Sequence, residues 1–587
     1  MIGKNLLQEV YDFKCGENIV KEENNVTLFD FSTKGQNGLL MLTNYRLLFW
    51  SYNSNSFGKS HFYEIPNSIK EFKSLDLNLP VGFIQEFEKG DGNCLTIKCK
   101  DFRSVTLKLK NDSNSADRFD KLLEKYMNPR SENIKLFAFV HFDAMHKEPG
   151  YSNSVLSDEY QRQLIESNNW RISKVNHNFE VCETYPDEVA VPKDVSDETI
   201  TNACQFRTKN RFPVLCWIHP DTKATLTRSS QPATGLTWKR NESDERYLKS
   251  IKDANAYNNL LTIIDARPMI NARANMARGG GIESQNIYTS ISYDFLNIPN
   301  IHVMRESMRK LADLCYPKPD NSNWHKALEE TKWLNYIRQI LLGSLMVAEK
   351  INSQRSVLVH CSDGWDRTAQ ITSLPQLMLD PYFRTIRGFQ TLIDKEWLLM
   401  GHKISQRTGG LTEEFGSTSS TSQKSERAPI FLQFIDCVWQ ITQQFLAAFE
   451  FNEQFLIDLM DAVYSGLFGN FLFNSEQQRR TNEVYTKTLS FWDHVNSDIE
   501  KYRNPLFTPA DESGHRVLFP QYRLPCIRFW KSYYLRHYLQ SRSQDPIADY
   551  SRILSRRKRI FQTQLNRQPE SDEETNIAQP AGEARQI

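Results

Sequence analysis

The sequence predicts a multidomain protein of mixed α+β and α/β class: a small N-terminal β-barrel or sandwich closed by one helix, then an α/β domain whose central sheet is flanked by helices. Three observations carry this. Up to about residue 110 the chain alternates short apolar runs with turn residues. Residues 333–370 read as an amphipathic helix, a short apolar strand, a loop and a second helix. The length, 587 residues, leaves room for roughly two to four domains of ordinary size.

In the N-terminal part, residues 38–50 (GLLMLTNYRLLFW) read as two strands around a turn at Thr43-Asn44. Residues 97–109 form a second hairpin-like stretch through Asp101. Phe119, Leu122, Leu123 and Tyr126 then fall at helical spacing, with Ser115 as N-cap and Pro129 just beyond the end. From Ile134 the texture becomes α/β. Leu334, Ile337, Leu341, Leu345 and Ala348 make one apolar helix face, leading to the strand Val357-Leu358-Val359. A Gly/Ser/Thr-rich loop covers 408–428, and a further helix follows Pro429 with Phe431, Phe434, Ile435, Val438 and Ile441 inward. The tail from 546 reads as a short basic amphipathic helix followed by disordered chain.

The 72 Lys+Arg balance 71 Asp+Glu, so overall charge does not draw the chain onto nucleic acid, and an anion must be met by a local patch. No stretch approaches the ~18 apolar residues of a membrane span. Residues 1–15 carry Glu9 and Asp12 and lack a signal-peptide pattern. The ten cysteines are scattered, with no C-x-x-C pair, which argues against a zinc ribbon and for a reducing, cytosolic setting.

The chemistry concentrates in 357–370, VLVHCSDGWDRTAQ. Cys361 and Arg367 frame the spacing C-x5-R between a strand and a helix. Loop N–H groups at a helix N-terminus form a nest that favours a thiolate over a thiol, and the Arg367 fork grips phosphate oxygens. Gly364 permits the tight turn, and Thr368 is placed to hydrogen-bond the departing sulfur. Two carboxylates in such a loop repel a phosphate dianion, so they need a role that outweighs this. Expelling an alkoxide needs a general acid. Asp366 is the first choice, with Asp363 the rival; a plain N-cap is the structural alternative for Asp366.

This loop, Cys361-Ser362-Asp363-Gly364-Trp365-Asp366-Arg367 followed by Thr368, resembles the signature of the myotubularin family of 3-phosphoinositide phosphatases, and the similarity extends over 265–281, 300–310, 388–403 and 431–453. The resemblance implies a PH-GRAM domain over 1–129, a phosphatase domain over 130–545 and a tail over 546–587. It implies Cys361 as nucleophile, Arg367 as phosphate grip, and substrate contacts at Asn275, Asn300, Ile301, Ser362, Asp363, Gly364 and Trp365. A second basic pair for another headgroup phosphate falls on Lys403 and Arg407. Active relatives usually carry Arg at the first of these, and a lysine keeps the charge without the bidentate fork.

The expected activity is 3-phosphate removal from phosphatidylinositol 3-phosphate and phosphatidylinositol 3,5-bisphosphate, with no metal or cofactor, by a cytoplasmic protein peripherally bound to phosphoinositide-bearing endosomal membranes. A membrane-recruited scaffold is the alternative, and a protein tyrosine phosphatase is disfavoured by the two aspartates. The resemblance allows a tail-mediated homo- or hetero-oligomer with related phosphatases, although Arg557 and Gln564 interrupt the apolar seam.

Overall fold

The computed structural model describes residues 13–29, 35–52, 72–109, 113–152, 154–288, 291–316, 322–412, 426–514 and 516–537. The expected tail helix and the centre of the 408–428 loop lie outside these residues. Among the described residues, the N-terminal region is one seven-stranded antiparallel sheet. Its strands are β1 (Ile19–Phe29), β2 (Gln36–Thr43), β3 (Arg46–Tyr52), β4 (Phe72–Pro80), β5 (Ile84–Gly90), β6 (Cys94–Cys99) and β7 (Ser104–Lys108), in the order β4-β3-β2-β1-β7-β6-β5.

The long apolar run of β2 and β3 reflects burial on both faces. Leu40 pairs with Phe49 and Leu42 with Leu47 toward the main core. Leu39 with Trp50 and Met41 with Leu48 face the other way, into a cluster that also takes Phe13, Ile19 and Tyr52. The expected turn is fixed by the Thr43 hydroxyl, which accepts the Tyr45 and Arg46 N–H groups at 3.1 and 2.9 Å. Helix α1 (Ser113–Met127) covers the sheet with Phe119 and Leu123, both fully buried, each worth about 2–3 kcal/mol in apolar transfer. It begins two residues before Ser115, so the expected N-cap lies inside the helix.

The second region is built on a five-stranded sheet: β10 (Val214–Ile218), β11 (Thr225–Ser229), β12 (Leu261–Asp265), β13 (Ile291–Phe295) and β14 (Ser356–His360), in the order β10-β11-β14-β12-β13. A separate antiparallel pair, β8 (Trp170–Ser173) and β9 (Val189–Pro192), precedes it. Strand β14 runs parallel to both neighbours and is buried throughout, which explains its continuous apolar sequence. Its register aligns His360 with Ser229 on one side and Asp265 on the other, so the loops after β11 and β12 meet the loop after His360 at one sheet edge. In parallel sheets this carboxyl edge is where ligands bind.

The helices that matter for the site are α2 (Met269–Met276), α3 (Ile301–Cys315), α4 (Trp333–Asn352), α5 (Arg367–Leu379), α6 (Ile404–Thr408), α7 (Ile430–Gln444) and α8 (Glu453–Ser465). Every residue of α5 is buried, making it the central helix of the catalytic layer.

The two regions share one hydrophobic core. Gly82 sits so close to α8 that a Cβ there would stand 2.2 Å from the Tyr464 carbonyl oxygen. Phe102 packs edge-on to Tyr534, and buried Asp101 accepts from Arg103 at 2.9 Å and pairs with His537 at 3.0 Å. No described helix is long and apolar enough to cross a membrane.

Candidate active site

Strand β14 delivers Cys361 to the sheet edge, and α5 begins at Arg367, so the intervening loop must turn tightly. Gly364 makes the turn with φ +80°, and a Cβ there would lie 2.4 Å from the Ser229 carbonyl oxygen. Its N–H points at Cys361 Sγ at 3.3 Å, and Cys361 is buried. Arg367 donates to the Ile298 carbonyl oxygen at 3.1 Å, which ties its guanidinium to the chain just before α3. The Thr368 hydroxyl is buried with no hydrogen-bond partner among the described residues.

Two arginines outside the motif brace this loop from behind. Arg211 and Arg228, both fully buried, donate to the Gly364 carbonyl oxygen at 3.0 and 2.9 Å. Arg228 is balanced by Glu396 at 2.9 Å, whereas Arg211 reaches Thr184 and the Met400 carbonyl oxygen at 2.9 Å and stacks on Tyr185. These contacts pull the carbonyl away from the pocket and aim the peptide's N–H inward. Gln231 donates its backbone N–H to the Ser362 carbonyl oxygen at 3.1 Å, and Asn275 on α2 donates to the Ser362 hydroxyl at 3.1 Å. Asn275 is thus joined to the loop.

A closed ionic network lies beneath the nucleophile. His360 Nδ1 is 3.1 Å from the Cys361 carbonyl oxygen, and its Nε2 is 3.1 Å from Glu283. Glu283 also pairs with Arg207, which holds Asp244 through a bidentate contact at 2.7 Å. On the other side Tyr293 bridges His360 and Asp265, and Asp265 pairs with Arg267. Two arginines against three carboxylates leave one negative charge, and a doubly protonated His360 cancels it. Accordingly Glu283 is held down at about 2 although burial opposes this, because His360 and Arg207 outweigh it. His360 is shifted upward: burial opposes its charge, but Glu283 and Asp265 overcome it.

The two loop aspartates have opposite environments. Asp366 is gripped by Arg407 at 3.0 and 2.9 Å and lies 3.3 Å from His402 Nδ1. Burial raises its pKa, but Arg407 and His402 more than reverse this and hold the carboxyl far below the usual range. The surroundings of Asp366, the expected proton donor, thus favour its ionised form. Its side chain does not cap α5. Asp363 is shifted upward, chiefly by burial and then by the charge of Asp366, against the pull of Lys403. Of the two loop aspartates, Asp363 is therefore the one whose surroundings favour the protonated form.

Lys403 and Arg407 do share a face, the Arg407 N–H bonding the Lys403 carbonyl oxygen at 2.9 Å. The Lys403 ammonium lies 4.4 Å from the centre of the Trp365 ring, so this aromatic wall steers the cation into the pocket rim. Its pKa is lowered by burial and by Arg407. His402, buried against Trp397, bonds the Trp365 carbonyl oxygen at 2.8 Å and fixes that wall. Asn300 caps α3, its carboxamide oxygen accepting the Val303 N–H at 3.2 Å. Ile301 opens that helix and packs on the main core. All ten cysteines are free thiols, and no cluster of metal-ligating side chains occurs among the described residues.

Sequence reasoning leaves Arg211, Arg228, Arg267 and Glu283 out of the site. The available signal was a charged residue at the carboxyl end of a buried strand, as Arg228 is in TLTRS.

Residues 136–480 match the family described as Myotubularin-like phosphatase domain. Phosphatidylinositol-3,5-bisphosphate 3-phosphatase MTMR2 of Bos taurus is 41% identical over 555 residues, covering 93% of this chain and 82% of that protein. The protein of the same name from Gallus gallus is also 41% identical over 555 residues, at 93% of this chain and 92% of its own length. Myotubularin of Xenopus tropicalis is 42% identical over 517 residues, covering 85% of this chain and 84% of that protein.

Proposed function

Because the chain belongs to the myotubularin family, we propose that it is a phosphoinositide 3-phosphatase acting on phosphatidylinositol 3-phosphate and phosphatidylinositol 3,5-bisphosphate through a phosphocysteine. The observation that carries this reading is the loop N–H aimed at Cys361 Sγ, with Arg367 opening the helix that follows the loop. In the first step the Cys361 thiolate attacks phosphorus while Arg367 and the loop N–H groups hold the equatorial oxygens. The bond to the inositol 3-oxygen breaks, and Asp363 gives that oxygen its proton. Asp363, now a carboxylate, takes a proton from water, which attacks the phosphocysteine and returns the thiolate with Thr368 supporting the sulfur.

Lys403 and Arg407 supply charge for a second headgroup phosphate, and Asn275 keeps Ser362 in place. The N-terminal sheet and α1 act as a PH-GRAM domain that brings the enzyme to endosomal membranes from the cytoplasm.

The test is phosphate release from phosphatidylinositol 3-phosphate, its 4- and 5-phosphate isomers and a phosphotyrosine peptide. Release from the first alone is expected. Activity spread equally over all four would sink the lipid and positional specificity, and inactivity toward every lipid would leave only a scaffold.

The ionic network adds a pH prediction. A histidine raised above its ordinary pKa contributes its charge fully below that ordinary value and loses it as pH climbs through the raised one. In Glu283→Gln the network is neutral without a charged His360, so the imidazolium behind Cys361 is lost at lower pH. The acidic limb of kcat/KM should then move to higher pH, because the thiolate loses a positive neighbour. An unmoved limb would make Glu283 merely architectural.

A further inference from the structure

The segments that follow β11 and β12 flank the catalytic loop, because β14 lies between those strands. Both touch it, through Gln231 and Asn275 on Ser362. Both also display apolar side chains to water. After β11, Leu236 is 69% exposed and Trp238 43%. At the start of α2, Ile270 is 76% exposed and Met269 44%. The two segments are tethered to each other: Gly235 donates its N–H to the Gly280 carbonyl oxygen at 2.9 Å, and Lys239 closes the turn onto the Thr234 carbonyl oxygen at 2.8 Å. Trp238 takes φ +52°, a conformation that bulky residues seldom adopt. A single exposed leucine needs no explanation. Four such groups on two tethered segments beside one pocket mark an interaction surface.

The charge on these segments has one sign. Residues 206–212, 231–241 and 268–281 contain no aspartate or glutamate. Among the described residues, Lys209, Lys239, Arg273 and Arg278 are all exposed and form no ion pair. Lys209 is near enough to Asp363 and Lys403 to act on both, which puts it at the pocket mouth. Exposed Leu, Ile and Trp interleaved with unpaired cations suit the boundary between headgroups and acyl chains of an anionic membrane. They suit a second copy of this chain poorly, since pairing the face with itself would set like charges against each other.

We propose that Leu236, Trp238, Met269 and Ile270 insert into the boundary of the bilayer that carries the substrate, with Lys239, Arg273 and Arg278 against its anionic headgroups. The inference rests on the reading of the substrate as a membrane phosphoinositide. It gives the catalytic half its own seat on the membrane, beyond recruitment by the N-terminal domain. A headgroup standing in the interface then enters the pocket without its lipid leaving the bilayer.

The experiment compares two forms of one substrate on the full chain: dibutanoyl phosphatidylinositol 3-phosphate in solution, and the long-chain lipid in phosphatidylcholine–phosphatidylserine vesicles. Leu236→Ser with Ile270→Ser should lower kcat/KM about tenfold on vesicles and leave it within about twofold on the soluble lipid, which also reports folding. Lys239→Gln with Arg278→Gln should flatten the rise of the vesicle rate with phosphatidylserine content. Equal loss on both forms, or an unchanged vesicle rate, overturns the proposal. So does a lower particle mass in the apolar double variant with vesicle rates intact, which would assign the face to a second copy. A parent inactive on both forms would sink the phosphatase reading instead. Sedimentation with the same vesicles lacking phosphoinositide then decides: weaker binding by the apolar double variant upholds the lipid face, and equal binding overturns it.

Discussion

Cys361→Ser should abolish phosphate release from phosphatidylinositol 3-phosphate, lowering kcat by roughly four orders of magnitude or more, as when other enzymes lose their nucleophile. The reason is the atom, not the space. Serine occupies the same pocket and can still accept the Gly364 N–H, so Arg367, Asn275 and Lys403 keep their positions. An alcohol, however, ionises far less readily than a thiol, and no side chain in the loop is set to deprotonate it. The variant should therefore still bind lipid headgroups while forming no covalent phosphoenzyme. Both are checked together by quenched single-turnover labelling and by binding to vesicles containing the 3-phosphorylated lipid. Turnover in the serine variant at even one per cent of the parent rate would remove Cys361 from the mechanism.

The second large effect is expected at Asp363. Asp363→Asn should lower kcat by about 10²–10⁴-fold, the usual contribution of a general acid, and should remove the basic limb of the kcat–pH profile. Its carboxyl titrates above the ordinary aspartate value, chiefly through burial and then Asp366, so it keeps a proton to higher pH than a solvated aspartate does. The limb marks where that proton is lost. Asp366→Asn should preserve the limb, because Asp366 is already ionised and tied to Arg407. A carboxylate held below its ordinary pKa lends stability that is present at neutral pH and lost as pH falls, so the Asp366–Arg407 pair matters least in acid. If the limb vanishes in Asp366→Asn and survives in Asp363→Asn, the proton role returns to Asp366.

The contrast between these aspartates marks where sequence reading stops. Cys361, Gly364 and Arg367 were legible because a contiguous loop between a strand and a helix brings its own residues together. The protonation of Asp366 depends on Arg407, which lies 41 positions away along the chain, and nothing in the C-x5-R spacing reports that distance. Arg211, Arg228 and Glu283 were invisible for the same reason: segments distant in the chain bring them behind the loop and beneath His360, and single charged residues carry no pattern. In the N-terminal region the β2 and β3 hairpin was plain from its turn and apolar run. The seven-strand order was not, because pairing between distant strands leaves only alternation in the sequence. Asn300 shows another limit: the resemblance implies only a substrate contact there, and its part in capping α3 emerges from the fold.

The grip of Lys100 on Gly409, with Gly82 pressed beneath Tyr464, has a consequence for how this protein can be recombined. A fragment starting at residue 130 would lose the lysine that anchors the segment behind Arg407 and would open α8 to solvent. The N-terminal sheet is thus no exchangeable cassette: grafted from another chain, it would have to reproduce a lysine at one turn and a glycine at another before the catalytic half kept its shape. Lesions at Lys100 or Gly82 would accordingly register as failures of the catalytic half.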